Sequence, residues 1–214
     1  MAPLIPQGLR RIVSGEPELR LGHRSAVILS VCAQKGGVGK TTTAVNLAAA
    51  LALFHGRKVL LLDMDAQGHV ATSLQNILSP ADSGRELPRV SEILLGKRRD
   101  VMEAVIPTEI ADLHATLSDK GLNETESVIG ARIGKEMLLR QALRVARTHF
   151  DVILIDCPPN LGNLTLNALL ASHYALVPCD MSVLSLEGVV DLAETLDTVR
   201  ERLGHDLRLL GLLR

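Results

Sequence analysis

Aromatic side chains are almost missing: the 214 residues include one Tyr, two Phe and no Trp. The core must then be built from Leu, Val, Ile and Ala, as expected for a sheet covered by helices. The same scarcity argues against nucleic-acid binding by stacking of bases on exposed rings. There are three cysteines, Cys32, Cys157 and Cys179, far apart and without a CxxC pair. That excludes a zinc or iron–sulfur motif and leaves reduced thiols at or beyond buried strands, as in a cytoplasmic protein. No apolar run reaches the ~18 residues of a membrane span. Pro3, Pro6, Gln7, Arg10 and Arg11 break up any signal-peptide core at the N-terminus. Charge of either sign is not in excess either, with 23 Lys plus Arg against 24 Asp plus Glu. Bulk charge therefore gives no argument for nucleic acid, although a local basic face remains open.

What the chain does have is one glycine-rich stretch, Gln34-Lys35-Gly36-Gly37-Val38-Gly39-Lys40-Thr41-Thr42-Thr43. The apolar run Ala26–Val31 precedes it and the helix-forming run Ala44–Ala50 follows it. Strand, glycine turn and helix start in this order suit phosphate binding. Glycines let backbone N–H groups converge on phosphate oxygens, and the positive end of the new helix adds to the attraction. Lys40 supplies a point charge for the β- and γ-phosphates, and the Thr41 hydroxyl suits Mg²⁺.

Two further segments end strands with acids. Lys58-Val59-Leu60-Leu61-Leu62-Asp63 runs into Met64-Asp65-Ala66-Gln67-Gly68, and Asp151-Val152-Ile153-Leu154-Ile155-Asp156 into Cys157-Pro158-Pro159. In a parallel α/β sheet such ends share one edge, where ligands bind. Phosphoryl transfer to water needs a water held in line and a metal held beside the phosphates, and carboxylates can do both. The seven histidines do not cluster in sequence.

The remaining pattern predicts helices over 40–55, with Gly56 as C-cap, 135–149, 164–171 and 186–203. Short helices are expected over 90–95 and 100–105, strands over 174–178 and 207–213, and a weak strand over 112–116. Residues 79–89 read as loop and 127–134 give no clear pattern. Alternating strands and helices imply parallel pairing with right-handed crossovers. The fold class is therefore α/β, a mostly parallel twisted sheet covered by helices on both faces. Residues 1–24, rich in Pro, Gly and mixed charge, read as a flexible lead-in with a short helix near Leu9–Val13. Its Arg10, Arg11, Arg20 and Arg24 are expected to be solvated. Residues 25–214 read as one domain.

The loop departs from the ordinary P-loop, with Gln34 where a Gly is usual and Lys35 before the paired glycines. K-G-G-V-G-K-T-T resembles the deviant P-loop of the ParA/MinD family of dimeric ATPases. Asp63-Met64-Asp65-Ala66-Gln67-Gly68 resembles that family's first switch, and Asp156-Cys157-Pro158-Pro159 its Walker B and second switch. Gln67-Gly68 and the segment Val177-Pro178-Cys179-Asp180…Leu186-Glu187-Gly188 are similar to the partition ATPases rather than to MinD. The nitrogenase iron-protein relatives share the loop but need cluster-ligating cysteines that this chain does not match. The resemblance covers residues 26–214. It implies a P-loop NTPase fold that binds ATP through Lys35, Gly36, Gly37, Val38, Gly39, Lys40, Thr41 and Thr42, with Mg²⁺ held by Thr41, Asp65 and Asp156. It further implies that Asp65 positions the attacking water, and that Lys35 reaches across a dimer interface to the partner's nucleotide. Asp63 is expected to be structural.

By resemblance, then, the chain is a slow, partner-stimulated ATPase that dimerises on ATP. The dimer binds DNA without sequence preference and an adaptor of ParB type stimulates hydrolysis, in the service of chromosome or plasmid partition, in the cytoplasm at the nucleoid and not at a membrane. The family pattern continues beyond Arg214, so a C-terminally truncated domain is expected. Two alternatives stay open at the level of sequence: a ParA-like ATPase that positions another cargo, and a truncated interaction protein that does not hydrolyse ATP.

Overall fold

A computed structural model describes residues 25–78, 88–180 and 183–214. The expected lead-in helix, its arginines and most of the 79–89 loop lie outside the described residues.

The sheet has seven strands: β1 (Val27–Val31), β2 (Val59–Asp63), β3 (Ile106–Pro107), β4 (Leu113–Thr116), β5 (Val152–Asp156), β6 (Tyr174–Pro178) and β7 (Arg208–Leu213). Their order across the sheet is β3-β4-β2-β5-β1-β6-β7. All pairs are parallel except β3 with β4. The chain passes from β1 to β2 over the later strand β5, and β6 and β7 extend the sheet on the other side of β1. That reversal of direction at β1 is where an open α/β sheet forms its crevice.

The central strands are apolar along their length because both faces are covered. Side chains alternate between two cores. Ile28, Leu60, Leu62, Ile153 and Ile155 point to one, with Val90, Leu122, Leu139, Leu164, Leu192 and Leu196 packed on them. Leu29, Val31, Val59, Leu61, Val152 and Leu154 point to the other. There, helix α1 (Lys40–His55) lays Ala44, Ala48, Leu51 and Ala52 against the sheet. The small alanines let the helix axis come close, and burying Leu51 contributes about 2 kcal/mol. Gly56 ends α1 in the left-handed conformation at φ 54°, with its N–H on Ala52 O and the next N–H on Leu51 O.

Shorter helices follow: α2 (His69–Leu74), α3 (Val90–Leu94), α4 (Gly121–Gly130), α5 (Leu138–Ala142), α6 (Ala146–His149), α7 (Asn163–Ala171) and the long α8 (Val183–Leu203). The single helix expected over 135–149 is instead a 3₁₀ turn (Lys135–Met137) followed by α5 and α6. The buried Asn167 amide explains its start: Oδ1 accepts from Leu139 N–H and Nδ2 donates to Lys135 O, taking groups a continuous helix would use itself. Residues 101–104 are 3₁₀ rather than α-helical, with Asp100 Oδ1 accepting from Met102 N–H. Helix α4 takes in the first half of the stretch 127–134 that had no clear pattern, and buries Leu122, Thr125 and Ile129.

Candidate functional site

Three neighbouring strands, β2, β5 and β1, carry the three motifs to one edge. The ladder sets Val31 level with Asp156 and Asp63 level with Asp156. The loop leaving β1, the acid ending β5 and the acids after β2 thus meet in a band about two strand spacings, ~10 Å, wide.

Gly37 and Gly39 both adopt left-handed backbone, at φ 77° and 89°. An L side chain would be strained at either position. A Cβ built on Gly36, Gly37 or Gly39 meets no atom within 4 Å, so the loop has open space beside each of these glycines. Gly39 also caps α1. The side chain of Lys40 turns back under this loop, with Nζ donating to Lys35 O at 3.1 Å. Lys40 is buried. That burial lowers its pKa, while Asp156 and Asp65 nearby pull the other way. Val38 is half-buried against the core, whereas Thr42 is exposed on the first turn of α1.

Thr41 Oγ1 donates to Asp156 Oδ2 at 2.6 Å. The other oxygen, Asp156 Oδ1, is buried without a partner among the described residues. Burial pushes the Asp156 carboxyl up to about 6, against the hydrogen bond from Thr41. A buried carboxylate oxygen without a donor is costly and asks for a cation or water. Asp65 is 8% exposed, and its Oδ1 accepts from Gln67 N–H. The donor set is therefore hard oxygen, a hydroxyl and carboxylates, which fits Mg²⁺ held together with phosphates and water. Among the described residues no cluster of three or more His, Cys, Asp or Glu forms a metal cage by protein ligands alone. Mg²⁺ bound through one or two carboxylates does not need one.

Lys35 lies at the outer rim of the loop. Its Nζ meets Asp180 Oδ2 at 2.8 Å, in the segment after β6. The residue before it, Gln34, touches α8: a Cβ on Gly188 would sit 3.4 Å from Gln34. The helix therefore lies in close contact range of the loop. Sequence reasoning quoted Asp180 and Gly188 as part of a similar segment but gave neither a contact. It also missed Ser118, whose hydroxyl reaches Asp63 from the far side of β2. A small polar residue after a weak strand carries no signal of that kind. The cysteines are free; Cys32 and Cys157 are buried and Cys179 is partly exposed. Burial raises both Cys32, to about 12, and Cys157.

The sequence pattern of the AAA domain family matches residues 26–209. Over 186 residues the chain is 41% identical to the chromosome partitioning protein ParA of Myxococcus xanthus, covering 87% of this chain and 63% of that one. It is 38% identical to the sporulation initiation inhibitor protein Soj of Bacillus subtilis, covering 87% of this chain and 71% of Soj. The chain belongs to the ParA/Soj-like ATPase family. Among solved structures, a Mycobacterium smegmatis protein described as cobyrinic acid a,c-diamide synthase, with bound ATP analogue and magnesium, superposes with a TM-score of 0.77. It is 38% identical and covers 88% of this chain and 74% of its own. As a member of this family the chain carries the deviant loop in the expected place and the P-loop NTPase sheet beneath it. It spans just under two thirds of the Myxococcus relative's length. Among the described residues no helix is long and apolar enough to cross a membrane.

Proposed function

We propose that this chain is an ATP-dependent dimerising switch of partition type, hydrolysing ATP to ADP and phosphate with Mg²⁺. The observation that carries the reading is the Thr41–Asp156 hydrogen bond beside the unpartnered Asp156 Oδ1, at the mouth of an open glycine loop. The loop N–H groups and Lys40 bind the phosphates. Thr41 and Asp156, with Asp65, hold Mg²⁺, which when bound neutralises charge on the phosphates. Asp65 orients the water that attacks the γ-phosphorus, and its backbone is held from both ends, by Asp63 Oδ1 and by Gly68 N–H.

Lys35 serves the second copy of the chain. In the single chain it rests on Asp180, an exposed pair of the kind that contributes well under about 1 kcal/mol and exchanges readily. Two ATP-loaded copies facing each other let each Lys35 reach the partner's nucleotide. The dimer then binds DNA without sequence preference, at the nucleoid, and a ParB-like adaptor stimulates hydrolysis. The name of the Myxococcus relative, a chromosome partitioning protein, supports partition as the task. Sedimentation with ATP-Mg²⁺ and then with ADP tests the reading, together with DNA affinity at low and high salt. A dimer with ATP only, binding DNA more tightly than the ADP form, is expected. A monomer in both states overturns it.

A further inference from the structure

Asp65 has its carboxylate in the site, with Oδ1 held by Gln67 N–H inside the same short turn, so the carboxylate stands where that turn stands. Its place is set one step back. Asp63 is fully buried, and its N–H and both carboxylate oxygens are used. Its N–H donates to Thr116 Oγ1 at 3.3 Å, its Oδ1 accepts Asp65 N–H at 3.0 Å, and its Oδ2 accepts the Ser118 hydroxyl at 2.9 Å. Ser118 also underlies the far end of the same turn: a Cβ on Gly68 would lie 3.6 Å from Ser118 Oγ. One buried hydroxyl, on the segment after β4, therefore bonds one limb of the turn 63–68 that carries Asp65 and lies beside the other.

We propose that Ser118 is a positioning residue for hydrolysis, holding Asp63 so that Asp63 holds the Asp65 backbone in register with the phosphate loop. This rests on the hydrolytic reading above. Without its hydroxyl donor, Asp63 Oδ2 is a buried acceptor with no partner, and the carboxylate turns to find one, releasing Asp65 N–H. The turn then samples positions in which the Asp65 carboxylate misses the water. ATP binding changes little, because the loop after β1, Lys40, Thr41 and Asp156 are left in place. The signature is a loss of turnover with unchanged affinity.

The test uses hydrogen exchange on the peptide spanning Asp65–Gly68 in the nucleotide-free protein, with ATP-Mg²⁺ turnover measured beside it over a range of ATP concentrations. Ser118→Thr and Ser118→Val have the same shape and differ in the hydroxyl, which guards against a Ser118→Ala variant that simply folds poorly. The expected result is faster exchange in that peptide and about a tenfold lower kcat at unchanged KM for Ser118→Val and Ser118→Ala, with Ser118→Thr near the parent. Faster exchange with unchanged kcat makes Ser118 structural only and overturns the proposal. Equal behaviour of the Thr and Val variants overturns it too. A parent that binds ATP but never turns it over overturns the hydrolytic reading and this proposal together, whereas a parent that turns over beside an unaffected Ser118→Val variant overturns this proposal alone.

Discussion

Thr41 Oγ1 and Asp156 Oδ2 lie 2.6 Å apart across 115 residues of sequence, joining the start of α1 to the end of β5. The bond holds the carboxylate so that its second oxygen stays without a protein partner. Nucleotide and metal binding should therefore be separable by mutation at this corner.

Lys40→Ala is expected to weaken ATP binding by about 1.5–3 kcal/mol, the usual loss for a charge-assisted contact. The fold should survive, because removing a buried ammonium also removes its desolvation cost. Calorimetric titration with ATP-Mg²⁺ checks this, and near-parent affinity would remove the loop from the site.

Asp65→Ala should still bind ATP and stop turning it over, leaving an ATP-bound dimer that persists. Phosphate release and sedimentation on one sample read both halves. Parental turnover in this variant would deny Asp65 any part in placing water.

Lys35→Ala and Gly36→Val test the second copy. A Cβ on Gly36 meets nothing within 4 Å in the chain itself, so valine there should fold and bind nucleotide. Both variants are expected to keep ATP affinity within about threefold, a loss below 1 kcal/mol, while remaining monomeric. DNA binding should fall with dimerisation, because two weak faces gain avidity only when joined. Tight DNA binding by the Lys35→Ala monomer would contradict the switch.

His173 makes acid stability measurable. Its Nδ1 accepts Ile28 N–H at 2.9 Å, and Arg147 lies 3.2 Å from Nε2. Burial first, then Arg147 and His205, lower its pKa to about 4. Because the folded value lies below the unfolded 6.5, the unfolded chain binds more protons between them, and stability falls as pH drops from about 6.5 towards 4. Asp63, raised to about 7 by burial, pulls the other way over all of that range, and Asp156, raised to about 6, over its lower part. The comparison is therefore between the parent and His173→Gln, by urea denaturation at pH 7.5 and pH 4.5. The variant should lose less stability on acidification, by about 1–2 kcal/mol after solvent screening. Parallel curves would show that His173 does not titrate as placed.

The central strands and the phosphate loop were legible because their signals are local. Apolar runs of buried strands, glycines at strained turns and an acid at a strand end can each be read from consecutive residues. Helix α1 was legible from its helix-forming run Ala44–Ala50 and Gly56. The stretch 135–149 was misread as one helix because its break is dictated by Asn167, distant in sequence and adjacent in space. Helix α2 went unnoticed, since six residues after Gly68 show too little periodicity. Asp180 and Ser118 belong to the same class. Their importance is a partner, and a partner is a property of the fold rather than of the segment.

The register that sets Val31, Asp156 and Asp63 level has a wider consequence. Spacing between the three motifs is measured out by backbone hydrogen bonds, which are identical for every side chain that keeps the strands intact. The sheet works as a ruler whose marks do not depend on what is written between them. The outer strands β3 and β7, and the surfaces beyond them, hold none of these three motifs and can therefore change without recalibrating the chemistry. A designer wishing to redirect such a switch should begin at those margins.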